Sequence, residues 1–473
     1  MVKIEKIVPG GQGLGTLEDG RKIFLWNALP GEVVTDFKIT KKKSHYLEGV
    51  ATEIEERSEY RVEPKDECYL ATSPWQVVNF DYELKLKAEL VKEYFRQQNV
   101  LNFYKQQSDS ILQNVHFGDA SPRPSSRGGS LNPLPLSRTL QNVQFCKTSC
   151  LTDNMQFFYR NKMEYSLFWD NKAEKIRLAF HERGSHRKKP VGQSSIERRE
   201  IWKKACEIVE ELNVRGEEAR KYQSLLLRCN QAGEVEGGLF ENGKSHPVFK
   251  NLEDTVLGVP FSYSPNGFFQ INLPVYEMAL EEIRKYIETE KVLDLYAGVG
   301  SIGLSVARGK ELTLVECDKA AYGEMVRNIG RGDSEIVALT PEKFLAVSPS
   351  AAPETIRYSR GETAKNFSGS SKISQESPLP VLAKSEEALE YIQPEQTVIV
   401  DPPRAGCDRK LLEKFLGVKP RRIIYLSCNP ATQARDVAIL QSKYIMSCIK
   451  TFNFFPRTPH IENLVVLDIS RDE

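Results

Sequence analysis

Several things are scarce in this chain, and each scarcity narrows its class. No window of the 473 residues approaches the apolar length that crosses a bilayer, so a helical membrane protein is not expected. The opening, MVKIEKIVPGGQGLG, has neither the apolar stretch of a secretion signal nor the Arg/Ser-rich composition of a transit peptide. Net charge is almost absent: 65 Lys and Arg against 64 Asp and Glu leave +1. A polyanion partner would therefore have to be met by a local basic patch. The nine cysteines, at 68, 146, 150, 206, 229, 317, 407, 428 and 448, have no small-domain disulfide spacing. Cys146 and Cys150 form a CxxxC pair without a second pair at zinc spacing, so the pair reads as structural or incidental and no metal site is expected. A reducing cytoplasm fits this usage. No membrane partner is expected, and a monomer is.

What is present suggests two to four domains on length alone. Residues 1–57 alternate glycine turns with strand-like runs, GGQGLG, then KIFLW at Lys22–Trp26, then ALPGEVV at Ala28–Val34, and predict a small OB-like β-barrel. Lys41, Lys42, Lys43, His45 and Tyr46 follow as a basic loop with an aromatic neighbour, either a solvated hairpin tip or an RNA contact. Residues 58–261 predict a central α+β domain. Within it, Tyr82–Gln98 has helical apolar spacing, QFFYRNKMEYSLFWD alternates like a strand, and HERGSHRKK (His181–Lys189) is an exposed hairpin or a phosphate contact. A Pro/Ser/Gly-rich stretch near 119–140 reads as a disordered insertion.

Residues 262–473 predict a Rossmann-like α/β domain. Gln270 and Asn272 precede a helix from about Pro274 to Ile287. KVLDLYAGVGSIG then gives a strand, Lys291–Leu295, and a GxGxxG loop through Gly298, Gly300 and Gly303. Glu316 ends the next strand, 18 positions after Gly298. Glycines admit a close ligand, and the acid suits two ribose hydroxyls. The spacing fits NAD, but Asp294 leading into the loop and VIVDPPRAG at Val398–Gly406 favour S-adenosylmethionine. A Pro/Ser/Ala-rich run near 347–381 reads as a second insertion. Arg421–Ser427 is a short buried strand stopped by Cys428-Asn429-Pro430, after which a helix resumes. Such a position puts the Cys428 thiol outside the carboxyl ends of the strands, where ligands collect.

The GGxGxG, LPGE and lysine-rich turn of the first segment resemble the TRAM domain, an RNA-binding module. GFFQIN, DLYAGVGS, TLVECD, DPPRAG, SCNPATQARD and FPRTPHIENLVVL, in this order, resemble the RNA 5-methyluridine methyltransferases, and the likeness spans nearly the whole chain. The resemblance implies an S-adenosylmethionine-dependent methyl transfer to carbon 5 of a uridine, with 23S rRNA favoured over tRNA as the RNA partner. It makes Cys428 the nucleophile and Glu462 the base. Asp401 and Arg404 lie beside them, and Gln270, Tyr296, Ser301, Glu316 and Asp401 line the cofactor site. Thr340 would flank the adenine. Chemistry agrees: carbon 5 of uracil becomes nucleophilic once a thiolate adds at carbon 6, and a base must then remove its proton. Arg404 stands where amino-group methylases usually carry Tyr or Phe, which favours carbon as the acceptor. Many members hold an iron–sulfur cluster on four cysteines. Here Cys68 remains, while Ser73, Pro74, Ser194 and Ser195 occupy the other regions, so no cluster is expected. A non-catalytic RNA-binding or chaperone protein of the same fold, or an NAD-dependent oxidoreductase, would be the alternatives.

Overall fold

The computed structural model describes residues 1–100, 150–184, 187–216, 221–241, 244, 247–331 and 378–470. The expected insertion near 119–140, Cys146, Thr340 and most of the run near 347–381 lie outside the described residues.

Strands β1 (Val2–Ile7), β2 (Gly13–Thr16), β3 (Lys22–Trp26), β4 (Val33–Lys42) and β5 (Tyr46–Glu56) close a barrel in the order β1-β2-β3-β5-β4. Strand periodicity puts Ile23 and Leu25 inward with Val2, Ile4, Val34 and Leu47, and leaves Phe24 and Trp26 partly exposed. Gly15 sits where a Cβ would come within 2.3 Å of Val2, so only glycine lets β1 and β2 approach. Of the Ala28–Val34 run, only its end enters a strand. Gly31 turns at φ +86, and the buried Glu32 carboxylate is taken up by the Leu29 N–H and by Arg61 at 2.6 Å.

The helix Phe80–Gln97 is capped by Asn79, whose side chain accepts from the Asp81 and Tyr82 N–H groups. It buries Leu86, Leu90 and Val91 against the C-terminal domain. Beyond it, β6 (Lys162–Asp170), β7 (Lys175–His181), β8 (Lys188–Pro190), β9 (Tyr222–Cys229) and β10 (Val235–Glu241) form an antiparallel sheet ordered β10-β9-β6-β7-β8. The helix Arg199–Arg215 covers one face of this sheet. The basic cluster is the β7–β8 hairpin, with His181 opposite Lys188. A second hairpin, β11 (Leu252–Val256) and β12 (Val259–Tyr263), shares a core with the helix Leu273–Arg284, so the 261/262 boundary drawn from sequence falls inside it.

The last sheet holds β13 (Lys291–Leu295), β14 (Glu311–Glu316), β15 (Leu379–Leu382), β16 (Gln396–Val400), β17 (Arg422–Ser427), β18 (Tyr444–Phe452) and β19 (Glu462–Ile469). Its order is β15-β14-β13-β16-β17-β19-β18, parallel from β15 to β17, with β19 antiparallel to both of its neighbours. This is the doubly wound α/β domain expected from the sequence. One correction concerns the second insertion: its last residues are not loop, because Leu379–Leu382 pairs in parallel with Thr313–Glu316. Four residues after a long polar run carry too little periodicity to be seen as a strand. Among the described residues, no helix is long and apolar enough to cross a membrane.

Candidate active site

Strand order reverses between β13 and β16, which opens a crevice at the carboxyl ends of the strands. Asp294 lies in β13, Glu316 ends β14, Asp401 follows β16 and Cys428 follows β17. Because β19 runs the opposite way, its first residue, Glu462, arrives at the same edge. Ser427 pairs with Asn463, which leaves Cys428 and Glu462 as the next positions along the two strands. All four residues named for catalysis are thereby gathered in one place. The thiol of Cys428 is pushed up to about 11, chiefly by burial and then by the nearby carboxyls of Glu462 and Asp401, while the charge and hydrogen bond of Arg404 pull it down. The Glu462 carboxyl is 5% exposed, and burial and then Asp401 raise its pKa while Arg404 opposes them.

The helix Pro430–Leu440 fixes this edge. Asn429 caps it and donates from Nδ2 to the Arg404 carbonyl at 2.8 Å, and Thr432 Oγ1 donates to the same oxygen at 3.2 Å. Arg435 donates to the Ala405 carbonyl at 3.0 Å. Asp436 Oδ2 accepts from the Cys407 N–H and the Tyr425 hydroxyl, both at 2.8 Å. Gln433 donates to the carbonyls of Tyr425 and Asn463 at 2.8 and 3.0 Å, and Asn463 donates back at 2.7 Å. The DPPRAG loop and the start of β19 are thus both tied to the turn that carries Cys428. Sequence reading missed these residues. The available signal was polar side chains at 429, 432, 433 and 436, a helical spacing that ordinarily marks a buried apolar face.

Asp401 is pushed up to about 7 by burial. A free Asp titrates near about 3.9, so the stability this group contributes is whole below about pH 4 and drains away as pH rises through about 7. Asp401→Asn is uncharged throughout. It should melt with the wild type near about pH 4 and at a higher temperature near about pH 8. Thermal melts across that range read the difference, and a gap that is widest at low pH would contradict it.

The crevice beside this edge fits a nucleoside methyl donor. Gly298 and Gly300 adopt φ +58 and +86, and nothing lies within 4 Å of where a Gly298 Cβ would stand, so the loop leaves open space above its backbone. Glu316 is held by the N–H groups of Gly298 (2.8 Å), Cys317 (2.7 Å) and Asp318 (2.6 Å), which fixes its carboxylate at the crevice wall. Asp294 is fully buried and pushed up to about 8; Oδ2 accepts from Gly303 N–H at 2.8 Å, and Oδ1 has no partner among the described residues. Ser301 Oγ shares a 2.7 Å hydrogen bond with the Tyr276 hydroxyl. Tyr296 takes φ +63, with its phenol directed to Ser385 and the Asp408 backbone, and burial raises its pKa.

The loop that carries the buried Gln270 is held by residues of the central domain. Arg228, fully buried, donates to the carbonyls of Gly267 (3.1 Å), Phe269 (2.5 Å) and Gln270 (3.3 Å). Lys162 donates to Asn266 and Gly267, and Asn161 Nδ2 to the Gln270 carbonyl at 3.1 Å. Asn161 and Lys162 of the YRNK block therefore brace the loop of residues 266–270 together with Arg228.

The described residues do not fit an iron–sulfur cluster. Cys68 is a protonated thiol, pushed up to about 12 by burial and Asp66, and it donates to Asp66 at 3.2 Å. Around it, Ser195 Oγ donates to Asp66 at 2.6 Å, Ser194 Oγ to Thr72 at 3.0 Å, and Gln76 to Ser73 at 2.7 Å. A hydroxyl network with a single sulfur is a poor donor set for iron. Among the described residues, no group of three or more His, Cys, Asp or Glu is placed to hold a metal ion.

Comparison with known proteins adds likenesses of family and fold. Residues 388–470 match the family described as tRNA (Uracil-5-)-methyltransferase, residues 1–52 match the TRAM domain, and 274–352 match a conserved hypothetical family. A curated relative from Listeria monocytogenes, named as an uncharacterized RNA methyltransferase, is 26% identical over 99% of this chain and 97% of its own. One from Bacillus anthracis with the same description is 25% identical over 99% and 96%. Among solved structures, the Pyrococcus abyssi tRNA (uracil-54, C5)-methyltransferase in complex with S-adenosyl-L-homocysteine is 20% identical, covers 99% of both chains and superposes with a TM-score of 0.63. That likeness shows the fold.

Proposed function

We propose that this chain is an S-adenosylmethionine-dependent RNA (uracil-C5)-methyltransferase that methylates one uridine at carbon 5 through a transient Cys428 adduct, a reading supported by the matches at residues 388–470 and 1–52 and by its RNA methyltransferase relatives. The observation that carries this reading is the meeting of one thiol, two raised carboxyls and one guanidinium at the edge of the donor crevice.

When bound, S-adenosylmethionine supplies an electrophilic methyl group; Gln270, Tyr296, Ser301, Glu316 and Asp401 would hold it. The target base is flipped out of its stack to reach the pocket. Cys428 sulfur bonds to carbon 6, its proton passes to Asp401, and the ring electrons move to carbon 5 and the carbon 4 oxygen, where Arg404 offsets the charge. Carbon 5 would then bond to the methyl carbon as that carbon's bond to the donor's sulfonium sulfur breaks, the electron pair leaving with S-adenosylhomocysteine. Glu462 takes the remaining carbon 5 proton, and a buried carboxylate of raised pKa is a strong base for this step. The carbon 5–carbon 6 double bond re-forms as the Cys428 sulfur leaves.

The TRAM-type barrel favours ribosomal RNA, 23S rRNA first. A tRNA is the second reading, supported by the description of the matched family and by the Pyrococcus enzyme's substrate. Methyl-labelled S-adenosylmethionine incubated with unmodified 23S rRNA and tRNA, followed by nucleoside analysis, tests the proposal. Labelled 5-methyluridine is expected from one of them. Label in any other nucleoside, or in neither RNA, would sink it.

A further inference from the structure

Several buried or half-buried cations among the described residues have a carboxylate partner. Arg61 bonds Glu32 at 2.6 Å, Lys87 bonds Glu83 at 2.9 Å, and Arg422 bonds Asp468 at 2.6 Å. Arg228, fully buried, is instead met by three carbonyls, whereas the half-buried Arg160 and Arg183 have neither a carboxylate nor more than one hydrogen-bond acceptor among the described residues. Arg160 donates from Nε to the Lys162 carbonyl at 3.0 Å. Arg183 donates from Nε to the Leu70 carbonyl at 2.5 Å, and its guanidinium lies over the Trp26 ring of the barrel, 4.1 Å from the centroid. Burial lowers the pKa of both, and no carboxylate opposes it. A guanidinium withdrawn from water without a counter-charge is costly unless an anion completes it.

Arg160 lies beside the loop that carries His460, since its neighbour Tyr159 donates to the Pro456 carbonyl at 2.9 Å. His460, two residues before Glu462 and edge-on to Phe455 at 5.5 Å, has its pKa pushed down to about 4 by burial and then by Arg404, Lys87, Arg160 and Arg183. Arg404, Arg160 and Arg183 are thus all within electrostatic reach of one imidazole, and of these Arg404 also acts on Cys428 while Arg183 lies over Trp26 of the barrel. Beyond Arg183, a pocket of about 240 Å³ opens between barrel and central sheet, lined by Phe180, Lys189, Lys38 and Glu67 among others. Lys38 is already paired with Glu182 at 3.1 Å, which leaves Arg183 and Lys189 as its cations.

Resting on the function proposed above, we infer that Arg160 and Arg183 bind successive phosphates of the substrate RNA beside the flipped uridine, and that the strand passes His460 into the barrel–sheet pocket. There the guanidinium of Arg183, backed by Trp26, presents a flat face on which a flanking base can stack. Phosphate contacts of this kind set register without reading sequence. The track would join the barrel, which only binds, to the edge where bonds change.

The test uses the full chain with Arg160→Gln, Arg183→Gln and, as a charge-retaining control, Arg183→Lys. Binding of a fluorescent oligouridylate is followed against salt, alongside methylation of unmodified RNA. Each Gln variant should weaken binding on the order of tenfold and flatten the salt slope by roughly 0.7, one phosphate's worth for a single strand. Arg183→Lys should keep the slope. The rate at saturating RNA and the affinity for S-adenosylmethionine should stay near wild type. Unchanged affinity and slope in both Gln variants, or a lowered melting temperature with an unchanged slope, overturns the inference and leaves these arginines as mortar between domains. If the wild type binds the oligouridylate yet methylates no RNA, the proposed function fails instead.

Discussion

Cys428→Ala should abolish methyl transfer, with a loss of roughly 10⁴-fold or more, because no other group at the edge can make carbon 5 nucleophilic. Cys407, though only six residues past Asp401, is no substitute. It is 5% exposed, its backbone N–H is tied to Asp436, and burial holds its thiol far above the usual range. The folded state should be little affected, since Cys428 is only partly buried. Two readouts separate chemistry from structure. S-adenosylmethionine binding by calorimetry should survive the substitution. The covalent band that wild type forms on a denaturing gel with 5-fluorouridine RNA should disappear, since fluorine at carbon 5 cannot leave as a proton and traps the adduct. Residual turnover within tenfold of wild type would rule out the thiol as nucleophile.

Glu462→Gln should fail at a later point. Gln keeps the shape and removes the base, so the sulfur can add and the methyl can be received, but the carbon 5 proton stays and the sulfur cannot leave. Turnover should fall by roughly 10²–10⁴-fold. In contrast to Cys428→Ala, a covalent protein–RNA band should build up with ordinary uridine RNA and S-adenosylmethionine. The sign of the accompanying pH effect follows from the same geometry. Glu462 is the larger of the two negative neighbours that raise Cys428. Its neutral replacement should let the thiol ionise more easily, so adduct formation should extend to lower pH than in the wild type. If no band forms, or the rise of adduct with pH moves upward, Glu462 is not the base.

The sequence made much of this site legible for definite physical reasons. Gly298, Gly300 and Gly303 announce a loop that needs positive φ and close approach, and Lys291–Leu295 announces the buried strand ahead of it. Cys428 and Asp401 were placed by strand ends alone. Their closeness to Glu462 was not readable that way, because it depends on β19 entering antiparallel between β17 and β18. The resemblance carried that assignment. Nor could local pattern reveal that Gln433 and Asp436 reach out to β19 and to the loop after β16, or that Asn161 and Arg228 of the central domain support Gln270. Such contacts join residues far apart in the chain, where periodicity carries no information. Leu379–Leu382 was hidden for the opposite reason, being too brief for any period to register.

The pairing of Ser427 with Asn463 has one more consequence. An extra residue inserted within 463–467 would turn alternate side chains of β19 to the other surface and carry Glu462 away from the sulfur. The barrel and donor crevice would persist, so the altered protein could still capture RNA and retain its cosubstrate, a bystander occupying the substrate without modifying it. Spacing along this one strand is therefore where an inactive competitor could most easily be made.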